Sequence, residues 1–292
     1  LTKKQTKRIP VRQIAATHKE QNNAGRFSIR DIQQVLNGRC LVHDLHKHDF
    51  YFILALQKGT GIHEIDFIKY ELQDNCFFIL RPGQVHRLEM NEDCSGYIIE
   101  FEPSFYQARN TITEQRWRKA TNKNYCETGE KHFLKLLSFL TNIFNEYSAK
   151  QEGYIEAIMA SFDLFFIEIV RQSQNPDNLS KSVNNYTQER FEELMRLLET
   201  NICKMKSVSQ YATLLNLSAY QLNAITKASV NKTTADLIND QIILEAKRHL
   251  LATSNQVKDI AWDLGYEDVS YFIRFFKKHT GHTPDTFRKN FK

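Results

Sequence analysis

The sequence has no membrane-length apolar run. Its longest apolar cluster, Phe162 to Val170, is broken by Asp163 and Glu168, well short of the roughly 18 uninterrupted apolar residues that a spanning helix needs. No secretory signal is expected either, because the basic start Leu1 to Arg8 leads into no apolar segment. The cysteines give no framework: Cys40, Cys76, Cys94, Cys126 and Cys203 are odd in number, scattered and never spaced Cys-x-x-Cys. That pattern argues against disulfides or a thiolate metal site and for reduced thiols in a cytosol. Low-complexity tracts are absent, and so is a strong charge of either sign, the net formal charge being only +5. From Tyr186 onward there are 15 Lys/Arg against 12 Asp/Glu, so an anionic partner would depend on which faces carry the charge. What remains is an ordinary aromatic-rich globular composition, about two domains long.

The chain divides by period. From about Phe27 to Phe101 the pattern is short and β-like. Phe50–Leu56 is an apolar run of strand length, Gln57–Gly61 and Asp74–Asn75 are turn chemistry, Cys76–Leu80 is a second apolar run, and Pro82–Gly83 turns the chain into Val85–Glu89. Closely spaced strands with turns between them predict a sandwich or small barrel. From about Lys131 to Gln172 apolar residues recur at threes and fours, first from Phe133 to Tyr147 and then, after Gly153, from Tyr154 to Ile169. This spacing predicts an antiparallel helix pair, whose wide stripes leave two readings open: one face meets another copy of the chain, or both helices simply cap the β domain. The polar stretch Ser173–Asn185 reads as a linker. The expected domains are 1–130 (β-rich), 131–172 (helix pair), 173–186 (linker) and 187–292 (helical).

The helical part repeats a layout. Thr187 is the expected N-cap of a first helix to about Asn201. Ser207 caps a short helix from Val208 to Leu215, Asn216–Leu217 is a tight turn, and Ser218 caps a helix from Ala219 to Ser229. Short helix, tight turn and capped helix make a helix-turn-helix, whose second helix lies in the major groove. After a connector helix at about Thr233–Leu251 the layout returns: Val257–Leu264, a left-handed stop at Gly265, a helix opened by Asp268 or Val269 and closed by Gly281, then Thr283 and Pro284 starting a terminal helix. Two heads reading one face of B-DNA must fall about 34 Å apart, and a connector of about 19 residues at 1.5 Å each is of that order. A plain helical bundle is the alternative, but it does not require caps and turns at this spacing twice over.

The run from Ile260 to Arg288, with Ile260-Ala261, Gly265-Tyr266, Tyr271-Phe272, Arg274, Phe276-Lys277-Lys278, Gly281, Thr283-Pro284 and the final Arg288, strongly resembles the AraC family of bacterial transcription regulators. The resemblance covers about a third of the chain. The first unit keeps Ser218 and Leu222 but has Thr226, Asn231, Ile242 and Ala224 where the family favours Phe, Gly, Arg and Arg. Carried over position by position, the resemblance implies a DNA-facing set of Tyr220, Gln221, Asn223 and Lys227 in the first unit. In the second it implies Val269, Ser270, Ile273, Arg274 and Lys277, with Lys277, Lys278 and Arg288 holding phosphates. Asn and Gln suit adenine edges, Arg suits guanine, and Ser or Val suits a thymine methyl or a nearby group. Phe272, Phe275 and Phe276 are expected in the core.

The β-rich region resembles, less specifically, the cupin-like sensor domain of many AraC relatives, through His46-x-His48, Gly59-x-Gly61 and Pro82-Gly-Gln-Val-His86. Cupin enzymes add a Glu where this chain has Phe52 or Ile53. Three imidazoles suit zinc or iron, but without the carboxylate the expectation is no metal, no cofactor and no catalytic residue. The resemblance instead implies a small-molecule pocket lined by His46, His48, Phe50 and His86, with Arg39 and Arg81 available to an anionic ligand. A barrel packed solid is the competing reading.

The expected fold is therefore α+β in two domains: a cupin-like β-barrel with a helix pair, and an all-α domain of two helix-turn-helix units on a connector helix. The expected function is that of a cytoplasmic, sequence-specific transcription regulator, not an enzyme. Its partners would be double-stranded DNA, a small-molecule effector, a second copy of the chain and RNA polymerase, with no membrane. The alternatives are a constitutive regulator whose barrel only dimerises, or a cupin-type metalloenzyme with a helical tail.

Overall fold

The computed structural model describes residues 11–12, 14, 27–106, 111–173 and 185–290. They form two compact units, one on each side of residues 174–184. The stretch read as a linker lies outside the described residues except at its ends. Ser173 closes one helix, and Asn185 and Tyr186 already belong to the next. Thr187 is thus inside that helix and is not its cap.

The first unit runs β1 (Val11–Arg12), β2 (Phe27–Asp31), α1 (Ile32–Leu36), β3 (Leu41–His48), β4 (Tyr51–Lys58), β5 (Gly61–Ile65), β6 (Ile68–Glu71), β7 (Cys76–Leu80), β8 (Val85–Met90), β9 (Ser95–Phe101), α2 (Thr111–Thr121), β10 (Tyr125–Glu127), α3 (Glu130–Ala149) and α4 (Tyr154–Ser173). Its strands form two five-stranded sheets, ordered β1-β3-β8-β5-β6 and β10-β7-β4-β9-β2. All pairings are antiparallel except β1 with β3.

β4 shows why the sequence folds this way. Successive strand residues face opposite sides, and here both sides are dry. Phe52, Leu54 and Leu56 join the core between the sheets, with Phe78, Leu80, Leu88 and Met90. Ile53 and Ala55 join a second core with Phe77, Ile79, Ile99 and Phe101 beneath the helices. A strand buried on both faces reads as a continuous apolar run, and each such side chain contributes about 1.5–3 kcal/mol of burial. The helix stripes are used on this second core: Phe133, Leu136, Leu140 and Ile143 of α3, and Ile158, Phe162, Phe165, Phe166 and Ile169 of α4, are buried there. Leu137, Phe144, Tyr147, Tyr154 and Ile155 pack half-buried beside them, while Leu134 and Leu164 stay exposed. Buried Glu168 ties the pair together through Lys135 at 2.8 Å.

The second unit is helical: α5 (Asn185–Asn201), α6 (Val208–Leu214), α7 (Ala219–Val230), α8 (Thr234–Ala252), α9 (Val257–Asp263), α10 (Val269–Thr280) and α11 (Pro284–Asn290). The repeat lies in its caps. Ser207 and Ser218 form capping boxes with Gln210 and Gln221, and Asp268 caps α10 by accepting from the Ser270 N–H at 2.7 Å. Asn216 (φ 54°) and Gly265 (φ 73°) take the left-handed conformation after the first helix of each unit. The next residue then bonds back five positions, Leu217 N to Ala212 O and Tyr266 N to Ala261 O. Asn231 and Gly281 end α7 and α10 in the same left-handed way, and Thr233 and Thr283 restart the chain as caps.

The two left-handed turns differ in their surroundings. A Cβ at Gly265 would lie 2.1 Å from the Cys203 carbonyl oxygen. The Lys206 ammonium also donates to the Cys203 and Gly265 carbonyls and lies over the Tyr266 ring. Gly265→Ala therefore meets both an unfavourable φ, costing about 1–2 kcal/mol, and backbone that must shift. We expect it to lower the thermal stability of the helical unit by clearly more than that amount. Asn216→Gly should change it by less than about 1 kcal/mol, and circular-dichroism melts of the two variants make the comparison.

Candidate DNA interface and barrel site

The outer face of α10 presents Ser270, Arg274 and Lys277 in line, with Lys278 beside them, all exposed, and Val269 and Ile273 half-buried along the same edge. Phe272 and Phe276 are fully buried beneath, and Phe275 is half-buried against Tyr266 and His279. Arg274 is 68% exposed, and its nearest carboxylate is Asp268 at 3.8 Å, too loose a pair to hold it from a ligand. The helix thus offers a guanidinium, two ammonium groups and a hydroxyl on a rigid, capped support.

α7 offers less. Tyr220 is 84% exposed, and Gln221 and Lys227 are exposed as well. The Gln221 Oε1 accepts from both the Ser218 N–H and hydroxyl, at 2.9 and 3.0 Å. A two-bonded contact with adenine needs that oxygen as well as the amide NH2, so Gln221 would first have to leave its cap. Asn223 is half-buried, and its Oδ1 accepts the Thr234 N–H at 2.9 Å, satisfying a backbone donor in the first turn of α8. Arg288 is likewise turned inward. It donates to the carbonyls of Leu250 and Asn255 at 2.9 and 2.8 Å, closing the end of α8, so the phosphate role expected for it gives way to a structural one.

In the β unit, His46, His48, His63 and His86 are all buried. His48 Nε2 lies 2.6 Å from His86 Nε2, His86 Nδ1 lies 2.9 Å from His63 Nε2, and His46 Nδ1 donates to the Asp44 carbonyl at 2.7 Å. Phe50 lies against His48, and Phe52 stacks on it. Burial, followed by the nearby His46, pushes the His63 pKa down to about 3. Burial and then His63, His46, His48 and His43 hold His86 well below the usual histidine range. The expected anionic-ligand residues do not join this group: Arg39 is exposed after α1, and Arg81 sits half-buried at the turn between β7 and β8. His63 was not singled out by sequence reasoning, although its alternation with inward Ile65 along β5 places it on the inner face.

Comparison with known proteins agrees with both halves. The AraC-like ligand binding domain matches residues 40–208, and the helix-turn-helix domain matches residues 211–290. The chain belongs to the AraC family. It is similar to the HTH-type transcriptional activator RhaS of Enterobacter sp. (strain 638), 21% identical over 247 residues, covering 84% of this chain and 87% of RhaS. It is also similar to the uncharacterized HTH-type transcriptional regulator YfiF of Bacillus subtilis (strain 168), 21% identical over 252 residues, covering 85% of this chain and 79% of YfiF. Among solved structures, ToxT of Vibrio cholerae O395 aligns over 91% of this chain and 98% of its own, at 14% identity and a TM-score of 0.42. As an AraC-family protein the chain is a DNA-binding transcription regulator with a ligand-binding domain. Its departures from the family pattern have local consequences. Thr226, where the family favours Phe, is fully buried and pairs with the Thr234 hydroxyl at 3.4 Å. Ile242, where the family favours Arg, is buried in the connector.

The two sets of basic residues separate experimentally. Lys277→Ala should reduce the slope of log affinity against log salt by about 1, with an unchanged melting temperature. Arg288→Ala should cost about 1–3 kcal/mol of stability and leave that salt slope unchanged. The histidines give a third expectation. Their folded pKa values lie below the unfolded value, so the unfolded chain takes up protons first as pH falls. The stability they contribute is complete above about pH 6.5 and declines from there towards the His63 value near 3. Melts recorded in chelator at pH 7.5 and pH 5 should show the β unit unfolding earlier at pH 5, and replacing His63 by an apolar residue should shrink that difference.

Proposed function

We propose that this regulator reads a specific DNA site mainly through α10, with α7 as a weaker second head, and that its β unit makes this binding responsive to an effector. The observation that carries the reading is the α10 face, where Ser270, Arg274 and Lys277 project together from a capped helix over a buried Phe272–Phe276 base. Arg274 suits a guanine edge, Ser270 and Val269 an adjacent base or methyl, and Lys277 and Lys278 the flanking phosphates. On α7, Tyr220, Lys227 and the NH2 of Gln221 remain available, and Lys227 is its one cation among the reading residues. Exposed Leu134 and Leu164 on the helix pair suit contact with a second copy, in which case the DNA site would contain two half-sites. RNA polymerase is the remaining partner this reading implies.

The effector reading is constrained by the barrel. The rings around His48 and His86 touch one another, so whatever binds among them is small. A mobility-shift series with wild type and Arg274→Ala tests the DNA reading. The substitution should cost about 1–3 kcal/mol and relax preference at one base position. Unchanged affinity and unchanged sequence preference would sink the assignment of α10.

A further inference from the structure

We infer, on the two-headed reading proposed above, that Lys206 is a positioning residue for DNA binding. It locks the first helix-turn-helix against the second and so sets the spacing of the two DNA elements that the heads engage together. Lys206 is half-buried in the loop between α5 and α6 and belongs to neither recognition helix. An ammonium has three N–H donors. Those of Lys206 reach the carbonyl oxygens of Cys203 at 3.2 Å and Gly265 at 3.1 Å, and the group lies over the Tyr266 ring, 5.1 Å from its centroid. The first carbonyl follows α5, ahead of the first helix-turn-helix. The second follows α9, in the turn of the second, 59 residues from Lys206. Backbone meets backbone at the same place, since a Cβ has no space between Gly265 and the Cys203 oxygen. Burial lowers the Lys206 pKa, as for any cation drawn out of water.

Each side of this joint is tied to a recognition helix. On the first side, α5 packs against α7. The Lys206 N–H donates to Oε1 of Gln210 at 3.1 Å, and the fully buried Tyr211 donates its hydroxyl to the Met205 carbonyl at 2.9 Å, so the loop is bound to α6 as well. On the second side, the Tyr266 N–H bonds back to Ala261 of α9. The Tyr266 ring packs on Phe272 and Phe275 of α10, at 5.3 and 5.9 Å between centroids.

The connector α8 also touches helices of both layouts, but with apolar residues such as Ile238, Ile242, Ala246 and Leu250. Apolar burial is non-directional, so α8 sets how far apart the heads stand and does not by itself fix their rotation about it. Hydrogen bonds to carbonyls weaken steeply when misaligned, and a second attachment of that kind removes the rotation. On B-DNA each base pair inserted between two elements turns one against the other by about 35° and moves it by about 3.4 Å. Locked heads meet both elements at one spacing and lose the gain of simultaneous contact at others.

The test uses the full chain and duplexes that the wild type selects from a random-sequence pool, the α10 element being the one whose preference Arg274→Ala relaxes. Each duplex is also made with one base pair inserted between the two elements, and with the α7 element scrambled. Insertion should weaken wild-type binding by at least about tenfold and Lys206→Ala binding by less than about threefold. On the scrambled duplex the two proteins should bind alike. The insertion ratio does not depend on the fraction of active protein, so a loss of stability alone leaves it in place. Lys206→Arg keeps a cation with donors and should restore the discrimination, whereas Lys206→Met keeps only the stem and should not. If Lys206→Ala fails to fold, Lys206→Met against Lys206→Arg gives the same comparison. Without DNA, hydrogen exchange in Lys206→Met should quicken together at 203–206 and 265–268, and unchanged exchange at both overturns the joint. Equal insertion penalties in wild type, Lys206→Ala and Lys206→Met overturn the positioning role and leave two-headed reading intact. So does a salt slope lower by about 1 in these variants, which would make Lys206 a phosphate contact. Indifference of the wild type to both insertion and scrambling removes the second head, and the positioning role with it.

Discussion

From Phe52 to Leu56, β4 is dry on both faces, and the first unit is organised around that fact. Phe52, Leu54 and Leu56 help fill the space between the sheets, while Ile53 and Ala55 support α3 and α4. Neither the barrel nor the helix pair is complete without the other, since each uses one side of the same backbone. The stripes are wide because the sheet beneath them is apolar from Ile29 through Ile99 and Ile53 to Phe77, and among the described residues Leu134 and Leu164 are the large apolar side chains left exposed on the pair.

The helical unit depends on a different constraint, the need to end one helix and start the next within a few residues. Both units solve it with a left-handed residue and a polar cap. The first uses Asn216 and Ser218, the second Gly265 and Asp268. Asn accepts positive φ at some cost, so the first unit keeps its backbone without glycine. At position 265 the Cys203 carbonyl leaves no space for a side chain at all. The reading faces then diverge in chemistry although the backbones agree. α10 carries Arg274, Lys277 and Lys278 outward, while α7 commits Asn223 and the Gln221 oxygen to its own ends.

Much of this was legible in the sequence, because caps, left-handed stops and apolar periods are local signals. Ser207, Ser218, Gly265, Gly281 and Thr283 mark helix ends that the structure also has, and the unbroken apolar run Phe50–Leu56 marks a strand. What could not be read were the partners of polar side chains. Asn223, Gln221 and Arg288 have the right chemistry for DNA, but their hydrogen-bonding atoms are engaged by Thr234, Ser218, Leu250 and Asn255. Several of those partners are distant in sequence or become partners only once the helices pack. Arg39, read as available to the barrel, lies exposed after α1. His63 is the opposite case, a residue that the structure places on the inner face of β5 beside His86 and that no local signal marked out.

The position of the histidines bears on how the β unit could report on its contents. His46, His48, His63 and His86 all stand on the first sheet, whereas α3 and α4 lie against the outside of the second. Anything that moves the imidazoles must act through the shared core. The contacts for this are continuous: Phe52 stacks on His48, and Phe78 lies 4.7 Å from His63, centroid to centroid. Their strand neighbours Ile53 and Phe77 face the helices, with the Phe77 ring 4.8 Å from Phe133 and 5.7 Å from Phe165. Close-packed cores resist gradual deformation and transmit strain, and β4 and β7 are packed on both faces. The double burial of β4 and β7 thus stabilises the unit and joins the packing around the histidines to the packing beneath the helix pair.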